Sequence, residues 1–167
     1  MSSVLSNFTL FSELDKNTQA LIYSEMEEVS IKAGNYLFRE GDESTAMYFL
    51  VKGECEVRKN TDEQDVPVAR IKAGRVLGEM SLMSTGRRSA SVFFFKEAQL
   101  LLWPKEKFLT FLKSHSNVGV IILLKLCETI ARRMVVRDEE LKKTDPSGGE
   151  PGELTVLRRK LLSDWSI

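Results

Sequence analysis

Residues 77–91 read LGEMSLMSTGRRSAS, and they interrupt a run of apolar, β-prone segments with one carboxylate and two adjacent guanidiniums. Gly78 has no Cβ, so the backbone there can approach a ligand closely. Glu79 to Met83 is long enough for one helical turn, whose first N–H groups lack intrahelical partners and make a seat for an anion. Ser84, Thr85 and Gly86 suit a turn that brings the chain back. Arg88 and Ser89 then face the same point, a guanidinium fork and a hydroxyl that both suit phosphate. Glu79 would repel that anion unless a hydroxyl lay between them, and a ribose offers one. Phosphate and sugar hydroxyl addressed within one short segment imply a nucleotide.

Upstream, residues 29–59 (VSIKAGNYLFREGDESTAMYFLVKGECEVRK) carry short β-prone runs cut by Gly34, Gly41 and Gly53. Within them Cys55 and Val57 alternate with Glu54, Glu56 and Arg58, which predicts a strand with one wet face. The polar stretch KNTDEQDVP (59–67) reads as a hairpin loop, and VARIKAG (68–74) resumes the strands. Residues 90–95 and 98–103 predict two more strands, joined around Lys96-Glu97. Many short strands at regular spacing with glycine turns predict a sandwich or closed barrel rather than βαβ units.

Helical patterns flank this β region. Residues 7–28 read as two helical pieces, one carrying Leu10, Phe11 and Leu14, the other Leu21, Ile22 and Met26 with Asp15 as its cap. Pro104 suits the first position of a short helix carrying Phe108, Leu109 and Leu112. The polar SHSN precedes a long helix over 117–143, in which Val120, Leu123, Leu124, Cys127, Ile130, Ala131 and Met134 form one stripe. Ile121, Ile122, Leu126 and Val136 occupy its other sides, which predicts either burial within its own domain or a homodimer through this helix. Residues 145–153 (DPSGGEPGE) have the composition of a flexible linker, and 154–167 (LTVLRRKLLSDWSI) form a short amphipathic tail. The domain proper is therefore expected to span 1–144.

The bulk numbers exclude several classes. The 167 residues suffice for one domain with a sizeable core, and 24 basic residues balance 24 acidic ones, so total charge does not point to nucleic acid or anionic lipid. Two distant cysteines, Cys55 and Cys127, have no metal-type spacing and read as reduced thiols. The start MSSVLSNFTLF lacks the pattern of a signal peptide, and the most apolar run, 118–127, is half the length of a membrane span, so a cytoplasmic protein is expected.

The segment GEMSLMSTGRRSASV resembles the phosphate-binding cassette of cyclic-nucleotide-binding domains, and LFREGDESTAMYFLVKGECEV follows the same family's pattern upstream. The run IARRM in the long helix is similar to the helix after the β-roll in the bacterial catabolite activator protein, and the family also includes the regulatory subunits of cyclic-AMP-dependent protein kinase. The resemblance covers roughly residues 8–143. It implies a mainly β, α+β fold: an antiparallel, jelly-roll-like β-roll with N-terminal helices, the cassette and a long C-terminal helix. It also implies that Glu79 binds the ribose 2′-hydroxyl and Arg88 the cyclic phosphate, with Gly78, Met80 and Ser89 supplying further contacts. Leu77, Ser91 and Arg137 are secondary candidates for the cyclic-nucleotide site. Arg87 stands where many members have proline, and it reads from the sequence as a solvated charge. Arg137 and Asp138 stand where the catabolite activator has a Thr-Ser pair that contacts adenine.

No nucleophile–base set, Walker motif or metal spacing is present, so the expectation is a non-enzyme without catalytic or metal-binding residues and without a cofactor. The chain ends too soon after the long helix for a helix-turn-helix domain, so neither DNA nor membrane is expected as a partner. Two functions remain. One is a sensor that binds cAMP or cGMP and relays occupancy through its C-terminal helices to an effector protein. The other is a structural β-roll that mediates protein contact without nucleotide, in which Arg88 merely pairs with Glu79 and Ser89 and Ser91 are small fillers.

Overall fold

A computed structural model of the chain describes residues 2–61, 64–80 and 86–143, with side-chain surroundings for residues 4–132 among them. Eight strands form: β1 (Glu27–Ile31), β2 (Asn35–Phe38), β3 (Ala46–Lys52), β4 (Glu54–Thr61), β5 (Gln64–Lys72), β6 (Arg75–Leu77), β7 (Ser91–Phe94) and β8 (Ala98–Pro104). They pair antiparallel in two four-stranded sheets, ordered β1-β8-β3-β6 and β2-β7-β4-β5. The strand spacing left a sandwich and a closed barrel both open. Among the described residues no pairing joins one sheet to the other, so the jelly-roll-like closure is not formed by these ladders. The edges show features that end a ladder: β6 has three residues, and edge strand β5 carries Pro67, which has no N–H to offer.

Alternation along β3 and β8 explains the layering. Met47, Phe49, Leu101 and Trp103 enter a core shared with the helical segments, whereas Leu50, Ala98 and Leu100 enter a second core with Cys55, Val92 and Phe94 of the other sheet. The sheet containing β3 and β8 is thus apolar on both faces, with helices on one side and strands on the other. The helical core is largely aromatic. Trp103 lies edge-on to Phe108 and Phe111, at centroid distances of 5.1 and 5.5 Å, and Phe49 contacts Phe8 and Phe11.

Residues 59–67, expected as a hairpin loop, are mostly strand: Lys59 pairs with Val66 and Thr61 with Gln64. A polar hairpin end has the composition of a loop, yet its backbone still completes the ladder. Pro67 sits opposite Arg58, next to a register shift, where a missing N–H is tolerated.

The N-terminal helical pieces are two 3-10 turns, Ser2–Asn7 and Thr9–Phe11, and a helix, α1 (Lys16–Ser24). Asp15 caps α1 as expected, accepting from Asn17 N and Thr18 N at 2.9 and 3.0 Å. Helix α1 ends before residue 28, because the chain is already in β1 from Glu27. Pro104 closes β8 and precedes helix α2 (Lys105–Ser114) rather than being its first residue. Phe108 and Phe111 are the buried side of α2, while Leu109 is exposed.

Two compact units divide the chain, Met1–Leu126 and Cys127–Ile167. The last helix, α3 (Ser116–Lys143), begins in the first unit, where Gly119, Ile122 and Leu126 are buried. The stripe read from Val120 onward is therefore not the core face. Val120 and Leu124 are 56% and 65% exposed. Two sides of this helix are apolar, and periodicity alone does not say which one faces the core. In the second unit Arg132 pairs with Glu128 at 2.6 Å, one turn apart. The linker at 145–153, the tail at 154–167 with Trp165, and residue 144 lie outside the described residues. Among the described residues no helix is long and apolar enough to cross a membrane.

Gln19 fastens the N-terminal segment. It is buried, donates to Phe11 O and Leu14 O at 3.0 and 2.9 Å, and accepts from Ser6 Oγ at 2.8 Å. Gln19→Met keeps the length and removes every donor. It should destabilise the fold by about 1–3 kcal/mol, because Leu14 O loses the Gln19 donor and Phe11 O keeps only Leu14 N, and urea unfolding measures this.

Candidate functional site

Strand β6 brings the chain into the site, with Val76 opposite Phe49 and Leu77 opposite Tyr48. Gly78 follows at φ +76°, a left-handed conformation that other residues adopt only with strain. Glu79 and Met80 are helical, Glu79 buried to 2% exposure and Met80 half-buried. The chain is described again from Gly86. There Ser44 N donates to Gly86 O at 2.7 Å, Arg88 N to Asp42 O at 2.8 Å, and Gly41 N to Arg88 O at 2.9 Å. Segment 41–44 and segment 86–88 are thereby joined along their backbones. Asp42 in turn accepts from Arg39 N at 2.7 Å, which closes the turn that carries the Gly41-Asp42 pair.

From this joint the Arg88 side chain runs inward and is only 3% exposed. Its Nη1 donates to Gly78 O at 3.1 Å and its Nη2 to Ala46 O at 2.7 Å. The guanidinium lies over the Phe38 ring at 4.1 Å and 5.7 Å from the Tyr48 ring. Burial pulls the Arg88 pKa below the ordinary arginine value, while Tyr48, Asp42 and Glu79 act in the opposite direction. Glu79 therefore lies within electrostatic reach of Arg88. A Cβ on Gly78 would collide with the guanidinium, 3.1 Å from Cζ and closer still to Nη1. Gly78 is needed twice here, for its dihedral and for its missing side chain.

Leu77, Gly78 and Glu79 thus follow one another at the end of β6, with the Arg88 guanidinium on Gly78 O. Leu77 belongs to the apolar core between the sheets and packs the site from beneath. Ser89 is exposed beside them. Ser91 is buried, and its Oγ accepts from Glu40 N at 3.0 Å, so it anchors the Arg39–Gly41 turn. The Arg137 side chain lies outside the described residues. Arg87, read as a solvated charge, donates from Nη1 to Gly41 O at 3.0 Å. Sequence reasoning missed Phe38, Tyr48 and Ala46 as surroundings of Arg88. Only the alternation of Tyr48 with Met47 and Phe49 carried a signal, since it sends Tyr48 toward the other sheet.

A cation held in a desolvated setting, with carbonyls and an aromatic face fixing its plane, interacts with an incoming anion more strongly than an exposed one does. No cluster of three or more metal-ligating side chains occurs among the described residues. Gly78→Ala should raise the backbone energy by about 1–2 kcal/mol and push Arg88 off Gly78 O. The expected result is a lower urea midpoint together with a displaced Arg88 Nη resonance in NMR spectra.

Comparison with known proteins agrees with this geometry. Residues 28–115 match the family model described as the cyclic nucleotide-binding domain. The chain is 29% identical over 110 residues to Lysophospholipase nte1 of Neurospora crassa, covering 65% of this chain and 7% of that protein. It thus spans only a small fraction of that curated relative. Among solved structures, the catabolite activator protein of Thermus thermophilus superposes with a TM-score of 0.69 at 28% identity, covering 80% of this chain and 61% of that one. A cyclic nucleotide-binding domain from Methylobacillus flagellatus gives 0.74 at 22% identity, over 88% and 84% of the two chains, a likeness of fold. Domains of this family are regulatory rather than catalytic. With its two antiparallel sheets, flanking helices and matched segment spanning the Gly78–Arg88 site, this chain belongs to the cyclic nucleotide-binding domain family.

Proposed function

We propose that the chain is a sensor for cAMP or cGMP, in which Arg88 takes the cyclic phosphate and Glu79 the ribose 2′-hydroxyl. The observation that carries this reading is the buried Arg88 guanidinium, positioned against Gly78 O and Ala46 O within electrostatic reach of the buried Glu79. A buried carboxylate and a buried guanidinium on one segment suit a ligand with both a hydroxyl and an anion. Gly78 and Met80 line the same turn, and exposed Ser89 offers a hydroxyl to phosphate or base. Both nucleotides should bind, with a preference for cAMP taken from similar domains, and the preference should be modest because the one Ser89 hydroxyl contact is worth only about tenfold in affinity.

Occupancy is relayed through the C-terminal helices to an effector protein in the cytoplasm, and the two sheets act as the roll that frames the site. The exposed Val120 and Leu124 on α3 support a second copy of the chain as a further partner. Sedimentation of the double variant Val120→Glu, Leu124→Glu should then show a smaller species than the parent chain, and equal sizes would remove the homodimer.

Calorimetric titration with each nucleotide tests the ligand. Arg88→Ala should weaken binding by about 2–5 kcal/mol, as expected on removing one partner of a buried charged contact. Arg88→Lys should recover only part of this, since the planar fork is lost. Glu79→Ala should reduce affinity for the parent nucleotide far more than for its 2′-deoxy analogue. If the parent chain binds neither nucleotide and neither raises its melting temperature, it is a structural β-roll that works by protein contact alone.

A further inference from the structure

Gly41 is gripped on both sides of its backbone by two consecutive arginines. Its N–H donates to Arg88 O at 2.9 Å, and its C=O accepts from Arg87 Nη1 at 3.0 Å. Residue 87 stands opposite Glu43 in an antiparallel bridge, and the bridge bonds come from the residues on either side: Ser44 N to Gly86 O and Arg88 N to Asp42 O. The backbone joint therefore uses no polar group of Arg87 itself, which leaves the side chain as its contribution. Gly41 also sits at φ +85°, so its peptide groups point where few other residues would send them.

We infer that Arg87 is a positioning residue, whose hydrogen bond to Gly41 O locks segment 41–44 against segment 86–88 and so fixes the root of the Arg88 side chain. The inference rests on the reading of Arg88 as the phosphate ligand. The consequence runs through geometry. The Arg88 guanidinium reaches Gly78 O and Ala46 O only from this root, and Ala46 directly continues the 41–44 segment into β3. Slack at Gly41 would move the donor and its acceptor Ala46 O relative to each other. A competing account gives Arg87 no such role: as an exposed cation beside Arg88, it would attract an anionic ligand through space. The two accounts differ in salt dependence and in the ligand-free protein. Coulomb attraction at an exposed position is screened by salt and does not protect amides, whereas a lock does the opposite.

The experiment uses the whole chain with Arg87→Met, which keeps length but not the donor, and Arg87→Lys, which restores a donor. Without nucleotide, Arg87→Met should speed amide exchange at Gly41, Ser44 and Arg88 about two- to tenfold, the range expected for one hydrogen bond. Amides of the β3–β8 ladder should keep their rates, and Arg87→Lys should return the three amides toward the parent. In calorimetry with cAMP, Arg87→Met should bind about two- to tenfold more weakly at low and at high salt alike. Unchanged exchange at the three amides overturns the inference. So does an affinity loss that vanishes at high salt, or unchanged affinity in a chain whose parent binds. If the parent binds neither cAMP nor cGMP, the ligand reading fails by itself, and the lock then stands or falls on amide exchange alone.

Discussion

A guanidinium is stable in a protein interior only where fixed acceptors and a polarisable surface replace its water, and Arg88 imposes that demand on much of this fold. Among its acceptors are backbone carbonyls from two strand ends, Gly78 after β6 and Ala46 at the start of β3. These two strands are adjacent in one sheet, so the sheet pairing itself sets the acceptor spacing. Phe38 comes from the opposite sheet and covers the plane of the cation. Removing either sheet would leave the charge half-coordinated. The site is in this sense a property of the sandwich rather than of the cassette segment.

The same strand that holds Arg88 also builds the core under the helices. Along β3, Ala46 and Tyr48 surround the guanidinium, while Met47 and Phe49 pack among the N-terminal turns, α2 and the start of α3. Thr45 O accepts from Lys105 N at 2.8 Å, so the residue before β3 also touches the first residue of α2. A displacement of the Arg88 acceptor would thus act on side chains along a strand that is buried at Ala46, Met47, Phe49 and Leu50. Densely packed interiors tend to shift as units, so under the proposed function this strand would be a route from the site toward the helices.

Much of the fold was legible because it depended on local rules. The Asp15 cap and the glycine-punctuated strands appear as read. The strand at Cys55 and Val57 forms as well, but without the expected wet face: Glu56 is buried and paired with Arg58 and Arg70, and Glu54 and Arg58 are half-buried. What was not legible depended on long-range contact. Residues 59–67 have loop composition, but the β4–β5 ladder recruits their backbones. Helix α3 has apolar residues on more than one side, and only the neighbours of Ile122 and Leu126 reveal which one is inside. At the site, Gly78, Glu79 and Arg88 lie within one segment and were found together. Phe38, Tyr48 and Ala46 come from other strands, and Arg87 is exposed as read, while its bond to Gly41 O joins residues too far apart in sequence to leave a local signal. Ser91, read as a secondary ligand candidate, proves to anchor the Glu40 backbone, a contact that only the sheet register creates.

The two cysteines differ in a way that matters beyond redox state. Cys55 is buried between the sheets, and desolvation, helped by Glu54 and Glu56, pushes its thiol up to about 12. At neutral pH only about one molecule in 10⁵ then carries the thiolate, which is the species that reacts with alkylating reagents. Cys127 is exposed on α3. The unaltered chain therefore already separates an inert thiol from an accessible one, and a thiol-specific fluorophore or spin label would report from the last helix without any engineered attachment point.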